Sequence, residues 1–485
     1  MFIYEGVMPL SSLAAFESRV CAYKEVPYLD PFSVVLTLSK EREEGLLFLD
    51  SCGGNGINES CLALERYSFI GFDPRSVIIT SKGVTTIDGV PQTDKPFDVL
   101  QQLWRAMKRP QNSELAHLPP WRGGLGGYFG YELLHFLEDV PYPACDVHEV
   151  PDMYIGVYDI VYAFDHALGK AWVITQGDMS EARLSYALSL YQETSLPDAP
   201  IEAPLDGLNC DFTSESFQGA IQSAIDYIYA GDIFQANITR RLYGTLSEAM
   251  RPLALYHRLR SINPAPFSGY MRMNGQGLLS SSPERFLTMK DGHIEARPIK
   301  GTRRRSAEPQ QDALMGEELR NSVKDRAENI MIVDLMRNDL SRVAKPFSVQ
   351  TPEICALESY KTVHHLVSVV RADLREGLDA FDVLKATFPG GSITGAPKIR
   401  AMEIISELEP VTRGPYCGSM GYIGFDGTMD LNILIRTIVM TGDLPGDTVW
   451  FNVGGGIVAD SDPLDEYEET ITKGAALVRV LVGDC

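Results

Sequence analysis

Lys300 sits in Arg297-Pro-Ile-Lys-Gly-Thr302, directly after an alternating segment, 293–297, that reads as a strand which Gly301 ends. An amine at a strand end is either a solvated cation or a group through which a reaction can run. Its surroundings decide. Asp325 and Glu328 stand three residues apart, as do Glu466 and Glu469. On a helix that spacing brings each pair to one face. The helix expected around 325–339 continues as Ile330-Met-Ile-Val-Asp-Leu-Met336, apolar nearly all round, which predicts burial. A carboxylate there is costly unless it is paired or holds a metal. Two helices offering such pairs suit a hard divalent cation. Mg²⁺ takes one or two carboxylates, keeps water and leaves a position for a substrate oxygen. For the last helix a solvated face with a Glu469–Lys473 pair remains the alternative.

Two glycine-rich segments bear on the ligand. Gly390-Gly-Ser-Ile-Thr-Gly-Ala-Pro-Lys398 has Ala-Pro where a phosphate-binding loop needs Gly before its lysine. Gly454-Gly-Gly456-Ile-Val-Ala459 fits a dinucleotide fingerprint, but Asp462-Pro463 and the few residues after it leave no room for the second strand and its ribose-binding acid. Read as strand-end turns, both still offer N–H groups, and Ser392 a hydroxyl, to a carboxylate. Arg436, in the apolar run 433–438, is a guanidinium in want of a carboxylate, supplied by a core acid or by a ligand.

The chain that must position these groups has 485 residues, 45% hydrophobic, with 65 acidic against 43 basic side chains and a net charge of −22. That length allows one large or two medium domains. The charge repels nucleic acid and anionic membranes, so an anionic substrate needs local cations or a bound metal. The first ten residues make a poor signal peptide, and no apolar run approaches the ~18 residues needed to span a bilayer. Eight cysteines without a Cys-x-x-Cys imply neither zinc nor disulfides, and a reduced cytoplasm is expected. Cys417 reads as a small buried cysteine, not a nucleophile.

Residues 1–195 alternate strand-like segments (33–38, 46–49, 76–80, 155–164, 171–175) with helices at 97–108 and 180–193, plus a glycine-dense stretch at 121–132. A linker is expected at 196–212 and a second region at 213–485. There a helix opens at Thr213 or Ser214, keeps Phe217, Ile221, Ile225 and Ile228 on one face and stops at Gly231, before a strand at 233–242. The last helix starts at Asp462-Pro463. Leu464, Tyr467, Ile471, Ala475 and Val478 should form its apolar face, opposite Glu466, Glu469 and Lys473. The irregular alternation predicts an α+β fold, layered β-sheets with flanking helices, not a doubly wound sheet.

From about 213 to 480 the chain resembles the chorismate-utilising enzymes, which include anthranilate synthase component I, aminodeoxychorismate synthase component I and isochorismate or salicylate synthases. The resemblance rests on Ser282-Pro-Glu-Arg285, 297–302, 325–334, His364-His-Leu-Val-Ser368, 388–398 and 454–469. The N-terminal third is similar chiefly at 66–71 and 121–132. The family pattern implies an anthranilate synthase component I-like fold. It implies Mg²⁺ held directly by Glu328 and Glu469 and through water by Asp325 and Glu466, gripping the ring carboxylate of chorismate. By the same matching, Tyr416, Arg436 and the N–H groups of Gly454, Gly455 and Gly456 hold the enolpyruvyl carboxylate. Ser392, His365 and Lys473 line the site, and Glu284 protonates the departing 4-hydroxyl. Water-using members have lysine at the position of Gln235, so glutamine is similar to the ammonia-using branch. Lys300 is similar to the nucleophile of aminodeoxychorismate synthases, where anthranilate synthases have alanine. It requires a neutral amine.

No cysteine lies in a Gly-x-Cys-x-Gly turn, so the resemblance implies a separate glutamine amidotransferase subunit that supplies ammonia, and no lyase domain follows. Stretches 64–68 and 263–267 depart from the feedback-sensitive pattern, and no regulation is assigned. Anthranilate synthase component I and a non-catalytic metabolite-binding or scaffold subunit are the alternatives.

Overall fold

A computed structural model of the chain describes residues 21–52, 59–146, 149–194, 202–360 and 363–483. Two antiparallel sheets of 12 strands each lie face to face. One runs from Cys21–Val26 through Leu47–Asp50 and Phe267–Met273 to Thr448–Ile457, Gln235–Thr245 and Asn209–Cys210. The other runs from Ile299–Arg304 and Val363–Asp373 through Ser419–Gly424 to Gly124–Phe129 and Val90–Pro91. Leu47, Trp121, Tyr158, Met420 and Trp450 belong to the apolar layer between the sheets. Helices Pro96–Met107, Val323–Ser341 and Ala380–Thr387 cover one outer face, and Pro31–Glu41, Pro252–Ile262 and Pro463–Val482 the other. The result is a four-layer α+β sandwich, as the mixed patterning implies. Each sheet draws strands from both sides of the 196–212 segment. Of that segment, residues 196–201 lie outside the described residues, Leu205 is buried and Asn209–Cys210 pairs with Gln235–Thr245.

Several elements follow from local chemistry. Thr213 and Ser216 form a capping box, and Gly231 closes the Ser214–Ala230 helix at φ 86°. The glycine-dense stretch supplies a central strand, Gly124–Phe129. The 155–164 run is two strands, Met153–Tyr158 and Ile160–Asp165. The chain passes from one sheet to the other between them, at Asp159, whose buried carboxylate takes Arg75 and Arg183.

Four expectations are corrected. Segment 33–38 lies in a helix, Pro31–Glu41, because Asp30 caps Ser33 N–H and Pro31 presets the first turn, outweighing the β-branched residues. Gly301 does not end a strand. It lies inside Ile299–Arg304 at φ 82°, where the register on Val363–Asp373 slips between Ile299 and Thr302. The Val323–Ser341 helix is not buried all round: Asn329, Ile332, Val333, Met336 and Leu340 face inward, but Ile330 is 49% exposed. The last helix is turned the other way from the hydrophobic reading. Leu464 and Ile471 face solvent, while Glu466, Thr470, Gly474, Leu477 and Val480 are buried. An amphipathic pattern assigns faces by hydrophobicity, and here Glu466 is turned inward among small and apolar residues while Glu469 and Lys473 pair at the exposed edge.

Candidate active site

The bulge at Gly301 determines where Lys300 points. A Cβ placed on Gly456 would lie 3.4 Å from Lys300 Nζ and only 1.9 Å from Gln235 Nε2. Lys300 and Gln235 therefore both lie beside Gly456, and the glutamine amide is too close to leave room for a side chain there. Gln235 is buried, and its Oε1 has no partner. Ile299 N–H points to Glu284 Oε1 at 3.5 Å, and the Ser392 hydroxyl bonds the same carboxyl. Burial pushes Glu284 up to about 7, against Ser392 and Lys300, which pull it down. Burial also holds the Lys300 ammonium below the usual lysine range, with Lys473 adding to it and Glu328, Glu284 and Glu469 opposing. A carboxyl held above its ordinary range and an amine held below its own thus act on each other in the same buried region.

All four acids border the same space. The Cβ position of Gly455 lies 3.2 Å from Glu466 Oε2, 3.6 Å from Lys473 Nζ and 4.0 Å from Glu469 Oε1. That of Gly301 lies 2.8 Å from Asp325 Oδ1. Burial raises Glu328, opposed by Lys300 and Lys324. Three of the four carboxylates have a cation: Asp325 with Arg303 at 3.2 Å, Glu466 with Lys324 at 3.5 Å and Glu469 with Lys473 at 2.6 Å. As placed, no three His, Cys, Asp or Glu among the described residues stand close enough together to hold a metal ion. The donor chemistry suits Mg²⁺, and Arg303, Lys324 and Lys473 pair with three of these carboxylates.

A second group of residues could grip a carboxylate. Arg436 takes a positive φ of 51°, and its guanidinium makes no hydrogen bond or ion pair with described residues. Burial alone holds its pKa below the arginine range, with no core acid to oppose it. His365 Nδ1 lies 2.9 Å from Thr302 Oγ1. Burial and the Arg436 charge push the imidazole down to about 3, so it stays neutral. Tyr416 is buried. Gly454, Gly455 and Gly456 are not a strand-end turn, as expected, but lie within Thr448–Ile457, paired to Thr239, Ile238 and Asn237. Strand Thr437–Met440 flanks the other edge only as far as Phe451, leaving backbone groups of the three glycines beyond its end. The glycines keep that edge open: side chains on 455 and 456 would enter the acid cluster and the Lys300–Gln235 contact. Ser392 sits in the short turn Gly391–Ile393.

Lys300, Gln235, Glu466, Glu469 and Lys473 thus lie beside the glycine strand, Asp325 stands beside Gly301, Glu284 and Glu328 act on Lys300, Ser392 bonds Glu284, and Arg436 acts on His365. Lys398 has another task. It donates to Asp339, Thr387 O and Pro389 O, tying down the turn before Ser392. Cys417 is buried and pushed up to about 12, which suits an inert thiol. Sequence reasoning missed Lys324, although a cation beside Asp325 was visible. It also missed the buried Arg413–Glu409 pair, which no periodicity marks because residues 410–413 lie past the end of the Lys398–Leu408 helix.

Residues 55–479 match the family of chorismate binding enzymes. The chain is 41% identical over 417 residues to aminodeoxychorismate synthase component 1 of Klebsiella aerogenes, covering 85% of this chain and 89% of that one. It is 38% identical over 424 residues to anthranilate synthase component 1 of Thermus thermophilus, covering 86% and 89%. Among solved structures, anthranilate synthase component I from Streptococcus pneumoniae superposes with a TM-score of 0.76 at 30% identity, over 93% of this chain and 99% of that one. With the family match and the fold likeness both extending over most of its length, the chain belongs to the chorismate binding enzyme family.

Proposed function

We propose that this chain is aminodeoxychorismate synthase component I, which converts chorismate and ammonia to 4-amino-4-deoxychorismate on the route to p-aminobenzoate and folate. The observation that carries the reading is that Lys300 and Gln235 both lie beside Gly456, with Glu284 near enough to act on Lys300. The neutral Lys300 amine attacks ring carbon 2, both ring double bonds shift by one position, the C4–O bond breaks, and the 4-hydroxyl leaves as water with a proton from Glu284. Ammonia then adds at carbon 4 and expels the lysine. Covalent attack divides one difficult displacement into two easier ones. Gln235 is uncharged and cannot take a proton from water. Its free Oε1 can accept an N–H of ammonia.

Arg436, Tyr416 and the backbone N–H groups of the glycine strand hold the enolpyruvyl carboxylate, while Lys473, Ser392 and the neutral His365 line the cavity. Mg²⁺, which the carboxylates of Glu328 and Glu469 would hold directly and those of Asp325 and Glu466 through water, would supply positive charge to the ring carboxylate. Its binding requires those carboxylates to leave Lys300, Lys324, Lys473 and Arg303. Residues 213–485 carry the chemistry, and 1–195 complete the sheets behind it. A separate glutamine amidotransferase subunit delivers the ammonia. Among the described residues no helix is long and apolar enough to cross a membrane, and we place the reaction in the cytoplasm.

Incubation with chorismate, Mg²⁺ and ammonium salt tests the reading. It should yield 4-amino-4-deoxychorismate. Fluorescent anthranilate would replace it with the anthranilate synthase reading. Lys300→Ala should lower amination on the order of 100-fold or more, and full activity would remove the covalent step.

A further inference from the structure

One guanidinium links three segments of the proposed site. Arg413, 1% exposed, donates from Nη1 to Ile393 O at 3.0 Å and from Nη2 to Asn237 O at 2.6 Å. Ile393 follows Ser392, whose hydroxyl bonds Glu284. Asn237 is two residues from Gln235 on the same strand, and therefore on the same face. The Arg413 backbone carbonyl accepts Tyr416 N–H at 3.3 Å. Glu409 fixes the guanidinium through Nε at 2.9 Å and Nη2 at 2.7 Å, and itself accepts Thr239 N–H at 2.8 Å and the Thr239 hydroxyl at 3.0 Å. Both members of the pair therefore grip the strand that carries Gln235. The Tyr131 ring lies 4.5 Å from the guanidinium carbon, and Glu132 Oε1 accepts Arg413 N–H at 2.6 Å.

A buried ion pair is a weak source of stability, since apolar replacements often do as well or better. What it does supply is fixed geometry. The planar fork sets the spacing between two backbone carbonyls on different elements. We propose that Arg413, held by Glu409, is a positioning residue for amination: it sets the separation between Gln235 and the Ser392–Glu284 side, and with it the aim of ammonia at carbon 4. This rests on the function proposed above. Arg413 itself need touch no substrate.

Arg413→Lys in the full chain, assayed with ammonium salt as nitrogen donor, tests the inference. Lysine keeps the charge but cannot reach both carbonyls and Glu409 in one plane. Per folded molecule, kcat should fall about tenfold or more and KM for ammonium should rise, because a displacement of about 1 Å costs on the order of 100-fold. Chorismate affinity, measured by fluorescence quenching, should change far less. A purely structural role lowers the folded fraction and leaves KM for ammonium alone. Thr239→Val removes one bond from Glu409 without disturbing a charge and should move the same constant in the same direction, by less. Wild-type kinetics per folded molecule in Arg413→Lys overturns the inference. If that variant does not fold, wild-type kinetics in Thr239→Val does so. Failure of the unmodified enzyme to aminate chorismate would instead sink the underlying function.

Discussion

Glu284→Gln should make the protein inactive and, above neutral pH, more stable. Glu284 is 5% exposed and pushed up from an ordinary 4.5 to about 7, chiefly by burial. A raised folded-state pKa means that the native protein keeps a proton which the unfolded chain releases. The stabilisation from that proton is complete below pH 4.5 and is lost as pH rises through 7. A shift of this size corresponds to about 3 kcal/mol, at 1.36 kcal/mol per pH unit. Glutamine has nearly the same shape, can still accept from Ser392, and carries no charge to desolvate. The stability difference between variant and wild type, from urea unfolding, should therefore grow by about 3 kcal/mol in the variant's favour between pH 4.5 and pH 8. Over the same range the wild-type kcat should decline above pH 7 as the acid deprotonates, while the variant loses about 100- to 10,000-fold in rate throughout. A stability difference that does not vary with pH would refute the burial argument. A variant with near-normal turnover would refute the role of Glu284 as the acid.

Gly456→Ala should cost on the order of 100-fold in kcat with little change in Tm, since its Cβ would lie 1.9 Å from the Gln235 amide nitrogen and φ is not the constraint. Gly455→Ala, whose Cβ would meet Glu466 Oε2 at 3.2 Å, should instead weaken Mg²⁺ binding in calorimetric titration, with a smaller effect on kcat at saturating metal. Lys324→Ala should tighten Mg²⁺ binding by up to about fivefold, because a half-exposed pair is worth up to ~1 kcal/mol. Weaker binding would mean that Lys324 helps to build the site.

Local signals in the sequence specify much of this molecule. The Thr213 and Asp462 caps, the Gly231 stop and the mixed pattern all lie within a few residues of what they control. The acidic pairs are legible for the same reason, since their three-residue spacing is itself a local fact. Long-range arrangement is not. Nothing near residues 153–165 states that one apolar run serves two sheets, because the change depends on Arg75 and Arg183 arriving at Asp159 from elsewhere in the chain. The Gly454–456 run reads as a turn because glycine generally permits one. Its reason here is side-chain volume, set by Gln235 and Glu466 from other elements. The last helix is the clearest case. Its apolar stripe and its acidic stripe compete for the interior, and the tertiary context, not periodicity, decides between them.

The orientation of that helix bears on the whole mechanism. A protein with a net charge of −22 repels a dianion at long range, so recognition must be local. Turning Glu466 inward beside Glu469 adds negative charge where an anionic substrate must come, which would be self-defeating without cations. Buried Lys300 and the half-exposed Lys324 and Lys473 answer part of that charge, and Arg436 has no ion pair among the described residues. The cluster is therefore poised between two neutralisations: by the ammonium groups of the chain itself, or by a divalent ion that frees them. On the proposed function the second would remove the pull of Glu328 and Glu469 on the Lys300 proton and leave that of Glu284, favouring the neutral amine a nucleophile needs. On the proposed function, metal binding would therefore promote the neutral Lys300 amine, with Glu328 as the group common to both.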